Sequence, residues 1–126
     1  MVTNQAVISD PKMITINTAS DTFVKFVPRN PDNSICDCTG FDHTALLYYG
    51  PANMGLSNQP ALSVAANIVA DATGVQISIP QATGLGAFIT AFGLAGKYAL
   101  HLVDSASNTL EAAAGSYTFN SPLGAL

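Results

Sequence analysis

Apolar and polar residues alternate along most of the chain, which predicts β-strands. Ile14 and Ile16 share one face of the segment 12–17, with Met13 and Thr15 on the other. Gln76 and Ser78 interrupt a run of β-branched residues in the same way, so they are expected to face outward. Segments of this kind recur about every ten residues, which is typical of an all-β sandwich. The predicted strands lie near 12–17, 22–27, 44–49, 62–70, 75–79, 97–104 and 109–120.

The last third of the chain predicts a long hairpin. Tyr98, Leu100 and Leu102 share one face, and Ser105 to Asn108 has the composition of a turn. On the return strand, the apolar positions change parity across Gly115. One extra residue in a strand reverses its faces, so a β-bulge is predicted at this glycine.

One segment departs from the β pattern. Leu85, Phe88, Ile89 and Phe92 fall at the i, i+3, i+4 and i+7 positions of a helix face. A short helical crossover is therefore predicted over residues 83–93, packed on one end of an antiparallel two-sheet sandwich. The predicted core residues are Ile77, Ile79, Phe88, Phe92, Tyr98, Leu100 and Leu102.

The pattern divides the chain into an amino-terminal arm (1–11), a β-sandwich domain (12–120) and a tail (121–126). Asp10-Pro11 is the turn signal that separates the arm. The arm and the tail are both rich in apolar residues, which suggests that each lies on another subunit. The strand over 44–49 is apolar on both faces, so it is either covered twice or covered by a partner. One of its two tyrosines, Tyr48 and Tyr49, must face inward.

Charge is scarce in this sequence. Charged residues make up 10% of the chain and the formal net charge is −4. A surface of this composition costs little to desolvate, which favours burial between subunits over a merely charge-poor monomer. The four basic residues are scattered, so no nucleic-acid partner is expected. No leader peptide and no membrane span are expected, which predicts synthesis in a cytoplasm.

Candidate chemistry is confined to one loop and two histidines. Cys36-Asp37-Cys38, with Asp42 and His43 nearby, offers zinc-type ligands at an unsuitable spacing, so two reduced thiols and no metal or other cofactor are expected. His43 and His101 lack the setting of a hydrolytic triad, and no nucleophile elbow accompanies them. The sequence therefore predicts a protein that is not an enzyme.

Several segments resemble a known group of proteins. Phe23 to Pro28, a polar loop and Thr39 to Tyr49 resemble the first half of small immunoglobulin-like phage proteins, and Gly96 to Asp104 with Gly115 to Phe119 resembles their closing hairpin. The likeness spans roughly residues 12–120 and is loosely that of the amino-terminal domain of phage baseplate upper proteins. It implies an immunoglobulin-like antiparallel β-sandwich. Gly96-Lys97-Tyr98 also matches part of the tyrosine corner of such domains, although an ordinary core tyrosine fits equally well.

The resemblance implies a non-catalytic structural protein of a bacteriophage particle. Without the family's tail-building regions, an accessory capsid decoration protein or a neck or tail fitting is expected. It would be located in the virion, bind capsid or tail subunits and form a homo-oligomer there. The alternative is a carbohydrate- or receptor-binding module. Removing residues 2–10 is expected to leave a folded domain that no longer joins the particle. The predicted interface residues are Val2, Ala6, Val7, Ile8, Tyr48, Tyr49, Leu123 and Leu126.

Overall fold

The protein is all-β, with two sheets that share one core. The structure, a computed structural model, describes residues 4–5, 7–17, 20–50, 61–63, 68–79 and 95–120, with only the backbone described at 4–5 and 61–63. No helix occurs in these ranges. Their nine strands are β1 (Asn4–Gln5), β2 (Ile14–Asn17), β3 (Thr22–Phe26), β4 (Thr44–Gly50), β5 (Ala61–Ser63), β6 (Val69–Asp71), β7 (Gly74–Ile79), β8 (Ala95–Val103) and β9 (Thr109–Asn120).

The larger sheet has the strand order β1-β9-β8-β4-β5, and β2 also pairs with β9. β4, β8 and β9 pair antiparallel, as the hairpin pattern predicted. β1 and β2 instead pair with β9 in parallel. This sheet is therefore mixed, which differs from the predicted antiparallel sandwich. Alternation of side chains predicts the faces of a strand but says nothing about the direction of its neighbour.

The smaller sheet is antiparallel, with the order β3-β7-β6. A single strand predicted over 62–70 proved to be two short ones: β5 lies in the larger sheet and β6 in the smaller. Continuous alternation cannot distinguish one strand from two that share a parity. The predicted helix over 83–93, including Phe88 and Phe92, lies outside the described residues.

The core is formed by the facing sides of both sheets. Ile77, Ile79, Tyr98, Leu100 and Leu102 are buried, as predicted from their alternation. Ser78 lies on the outer face, opposite the exposed Phe23, as predicted, although it is only 5% exposed. The fully buried side chains of the larger sheet include Ile16, Leu47, Leu110 and Tyr117. Phe26 and Val75 of the smaller sheet are also fully buried, as is Pro28, which follows β3.

The predicted bulge exists at a different residue. Leu100 lies opposite Ala113 and His101 lies opposite Glu111, so Ala112 is the extra residue. Ala112 and Ala113 are both completely buried, and two consecutive small side chains can both be accommodated in the core. Gly115 lies in regular register opposite Tyr98. Its lack of a side chain has another consequence: a Cβ there would lie 2.8 Å from the carbonyl oxygens of both Pro11 and Lys12.

Tyr98 does not form a tyrosine corner. Its hydroxyl donates a hydrogen bond to the carbonyl oxygen of Lys12 at 2.5 Å, 86 residues away in sequence. A tyrosine corner would return the hydroxyl to the backbone a few residues upstream. Tyr98 instead connects β8 to the segment that joins the arm to β2, and Gly115 leaves room for that segment.

Candidate interaction surface

The outer face of the larger sheet is low in charge. Thr44, Leu46 and Tyr48 of β4 are half-buried on this face and alternate with inward residues. Leu46 lies opposite His101, and Tyr48 lies opposite Ala99. Tyr49 is buried in the core, with its ring 5.6 Å from that of Tyr117. The prediction that one of the two tyrosines faces inward is thus confirmed, and only Tyr48 remains available to a partner.

Two ionisable side chains, His101 and Glu111, lie next to each other on this face. His101 Nε2 lies 3.1 Å from Glu111 Oε2, and this is the only ion pair among the described residues. The other oxygen of Glu111 accepts a hydrogen bond from Ser9 Oγ at 2.9 Å. The His101 ring also packs edge-on against Tyr48, with the ring centroids 5.2 Å apart. The resulting network connects the arm to the centre of the face.

This network does not have the order of a hydrolytic triad. In a triad the imidazole stands between the nucleophile and the carboxylate. Here the carboxylate of Glu111 stands between Ser9 and His101. His43 is exposed at the edge of β4. His101 therefore does not meet the geometric requirement for that chemistry.

The described part of the arm lies against its own domain. β1 pairs with the start of β9, and Asp10 donates its backbone N–H to the carbonyl of Ala112 at 3.0 Å. Val7 is half-buried against the core, whereas Ile8 is 49% exposed. Val2, Ala6, Leu123 and Leu126 lie outside the residues for which side chains are described.

Asp10 fixes the arm at the corner between the two sheets. Its carboxylate accepts hydrogen bonds from the backbone N–H of Val27 at 2.8 Å and of Lys12 at 3.0 Å. Lys12 Nζ donates in turn to the carbonyl of Lys25 at the edge of β3. These contacts satisfy backbone groups at a strand edge that would otherwise be open to pairing. The sequence marked Asp10-Pro11 as a turn but did not reveal these side-chain partners.

The cysteine loop is part of the core. Cys36 and Cys38 are both reduced and buried, and burial raises the pKa of the Cys38 thiol to about 12. Asp37 accepts hydrogen bonds from Thr39, which lower the pKa of its carboxyl. Within the described ranges, no three His, Cys, Asp or Glu side chains are grouped so that they could hold a metal ion. Burial also raises the pKa of the Cys36 thiol, and a raised pKa lowers the share of each thiol that is present as the nucleophilic thiolate at neutral pH.

Some exposed apolar residues were not singled out from the sequence. Phe23 is 68% exposed on the outer face of the smaller sheet, and Val69 of the same sheet is 56% exposed. Ile35 is 46% exposed in the polar loop. The alternation along β3 could have predicted the exposure of Phe23, because its parity differs from that of the buried Thr22 and Phe26. The exposure of Ile35 could not be predicted from the sequence, because it depends on how a loop folds.

Comparisons with known proteins do not identify a family for this chain. No helix in the described part of the chain has the length and apolar character needed to cross a membrane. No protein-family model and no curated protein matches this sequence.

Proposed function

We propose that this protein is a non-catalytic structural subunit of a bacteriophage particle, with an immunoglobulin-like sandwich that binds other virion subunits. An accessory capsid decoration protein or a neck or tail fitting is the role we favour. The observation that carries the proposal is the outer face of β4. Its half-buried Leu46 and Tyr48 lie on a sheet face where, among the described residues, Glu111 contacts His101 and the exposed Lys97 lies at one end.

Physical chemistry favours a protein partner for this face. A central strand that is apolar on both faces is usually covered on both. Burying Leu46 and Tyr48 against a partner removes apolar area from water, and tyrosine is enriched at such contacts. When His101 is protonated, the His101–Glu111 pair can be covered without leaving an unpaired charge in the interface. The assignment to a phage particle rests on the resemblance of residues 12–120 to small phage proteins.

The alternative, a carbohydrate- or receptor-binding module, is favoured by a different residue. Among the described aromatic side chains, Phe23 alone is largely exposed. Lys25 and Gln76 flank it on the same sheet face and offer hydrogen-bond donors. A sugar could stack on such a ring. Tyr48 suits that role less well, because its ring packs edge-on against His101.

Incorporation into particles tests the proposal. The protein is tagged in a lysogen or phage that encodes it, and purified particles are assayed for it by quantitative immunoblotting. We expect the wild type in the particles, and we expect Leu46→Glu to reduce incorporation at least ~10-fold, since burying a second carboxylate beside the His101–Glu111 pair costs more than 1.4 kcal/mol. Thermal unfolding of each purified variant first establishes that it folds.

Phe23→Glu is the matched control, because it places the same charge on the outer face of the other sheet. It should incorporate like the wild type. Absence of the wild-type protein from particles would refute the phage role. Normal incorporation of a folded Leu46→Glu variant together with loss of Phe23→Glu would move the contact to the smaller sheet.

A further inference from the structure

A short ladder beside the arm aligns three exposed side chains. Arg29 bridges Ile8 on one side and Ile35 on the other, both in antiparallel fashion. The backbone bonds between Ile8 and Arg29 are 2.7 and 2.9 Å long. Directly opposite residues project to the same face of a sheet. Ile8, Arg29 and Ile35 therefore form one exposed row with the cation in the middle, which we call the Ile–Arg–Ile row.

The neighbouring positions confirm which way this row points. Val7 is half-buried, and Pro28 and Cys36 are buried. Each of the three precedes or follows a member of the row, so the inward and outward sides alternate as in a regular ladder. The row is thus held by backbone pairing, and its isoleucines are 49% and 46% exposed.

The guanidinium of Arg29 has no carboxylate within ion-pair distance among the described residues, which include all eight Asp and Glu of the chain. Its Nη1 donates one hydrogen bond, to the carbonyl of Asn33 at 3.1 Å. The acidic groups nearest in sequence are turned into their own loops: Asp32 accepts from Ser34, and Asp37 accepts from Thr39. Most of the donor fork of Arg29 is therefore available to a ligand.

We propose that the Ile–Arg–Ile row binds a protein segment that presents a carboxylate between two apolar side chains. The inference rests on the proposed function, since it names the chemistry of a partner that this subunit would dock. Arginine pairs with a carboxylate through two parallel hydrogen bonds, and partial exclusion of water strengthens them. The two isoleucines provide that exclusion and add apolar contact on either side.

Nuclear magnetic resonance can test this without knowing the partner. The probe is the peptide acetyl-Gly-Ile-Ser-Glu-Ser-Ile-Gly-amide, titrated into the full chain with labelled isoleucine methyl and arginine side-chain groups. We expect saturable shifts at Ile8, Arg29 and Ile35, with a Kd on the order of 1 mM. Replacing the glutamate of the peptide by glutamine should weaken binding ~10-fold, which corresponds to about 1.4 kcal/mol.

Arg29→Gln should weaken binding to the same extent, and Lys25→Gln is the matched control that should not. An unchanged amide spectrum away from the row establishes that each variant folds. Equal binding of the glutamate and glutamine peptides, or no shift at the row at about 10 mM peptide, would overturn the inference. Leu46→Glu should leave peptide binding intact, so failure in the particle assay is distinguishable from failure here.

Discussion

At the scale of single residues, polar atoms at the rim of the core hold the fold in register. The Tyr98 ring packs 6.1 Å from the Phe26 ring, while its hydroxyl reaches the carbonyl of Lys12. The Tyr98 side chain is thus buried in the core and also forms a hydrogen bond to the segment that follows the arm. Its position in the core could be predicted from the sequence. Its hydrogen-bond partner could not, because no local pattern predicts a contact between residues so far apart.

The substitution Tyr98→Phe should measure what the hydrogen bond to Lys12 contributes to stability. The ring stays in place and the hydrogen bond is lost, so we expect a loss of about 0.5–1.5 kcal/mol in the free energy of unfolding. Urea denaturation at neutral pH measures it. Tyr48→Phe is the control, since it removes a hydroxyl from a half-buried ring on the outer face, and it should change stability by less than ~0.5 kcal/mol. Equal effects of the two substitutions would count against the Lys12 contact.

At the scale of elements, the described part of the arm pairs with the domain. It pairs with β9 at Asn4 and Gln5 and again at Asp10, and β2 continues in the same direction to the end of that strand. Removing residues 2–10 would remove the Asp10 carboxylate, which accepts a hydrogen bond from the backbone N–H of Val27. Truncation would therefore lower the stability of the sandwich as well as remove any contact with a partner. Single substitutions on the outer face and in the Ile–Arg–Ile row separate these effects.

Gly115→Ala should loosen the arm at its closest approach. The new methyl group would meet two carbonyl oxygens at 2.8 Å, so the segment around Pro11 and Lys12 must move away from β9. We expect a loss of about 1–3 kcal/mol, as for other overpacked sites. Hydrogen exchange should accelerate at Ala114, whose N–H donates to the carbonyl of Asp10.

Ser116→Ala is the matched control, because it alters the next residue of β9 on the outer face. It should leave the exchange rate of Ala114 near that of the wild type. If Gly115→Ala exchanges no faster than this control, the arm accommodates the methyl group and the close approach does not constrain it.

At the scale of the whole molecule, the sequence predicted what depends on local periodicity. The two buried faces that carry Ile77 and Leu100, and the closing hairpin, follow from alternation and from turn residues. The parallel addition of β1 and β2 to β9 does not, since it depends on long-range pairing. Of the candidate site, Tyr48 and Tyr49 were both predicted as interface residues, and alternation required one of them to face inward, but the sequence did not show that Tyr49 is the buried one. Arg29 was missed because a loop hairpin brings it between two isoleucines.

The core as a whole makes the protein sensitive to alkali. Burial raises the pKa of Cys38 from an ordinary value of 9.0 to about 12, and that of Tyr117 from 10.0 to about 12. Burial likewise raises the pKa of Tyr98, and the Asp10 carboxylate adds to the shift. In each case the folded state holds the proton more tightly than the unfolded state. Stability is therefore fully present below the unfolded pKa and is lost as the pH rises toward the folded one.

The urea midpoint should accordingly stay constant from neutral pH to about pH 9 and then fall progressively through about pH 11. Replacing both Cys36 and Cys38 by alanine removes the two buried groups with the lowest unfolded pKa, so the decline of this double variant should begin about one pH unit later, near the ordinary tyrosine value. Met13→Ala, at a 70% exposed position, serves as the control and should follow the wild-type profile. A midpoint that stays constant through pH 11 would mean that these hydroxyl and thiol groups ionise as readily in the folded protein as in the unfolded chain, and that the burial seen at Cys38 and Tyr117 does not persist in solution.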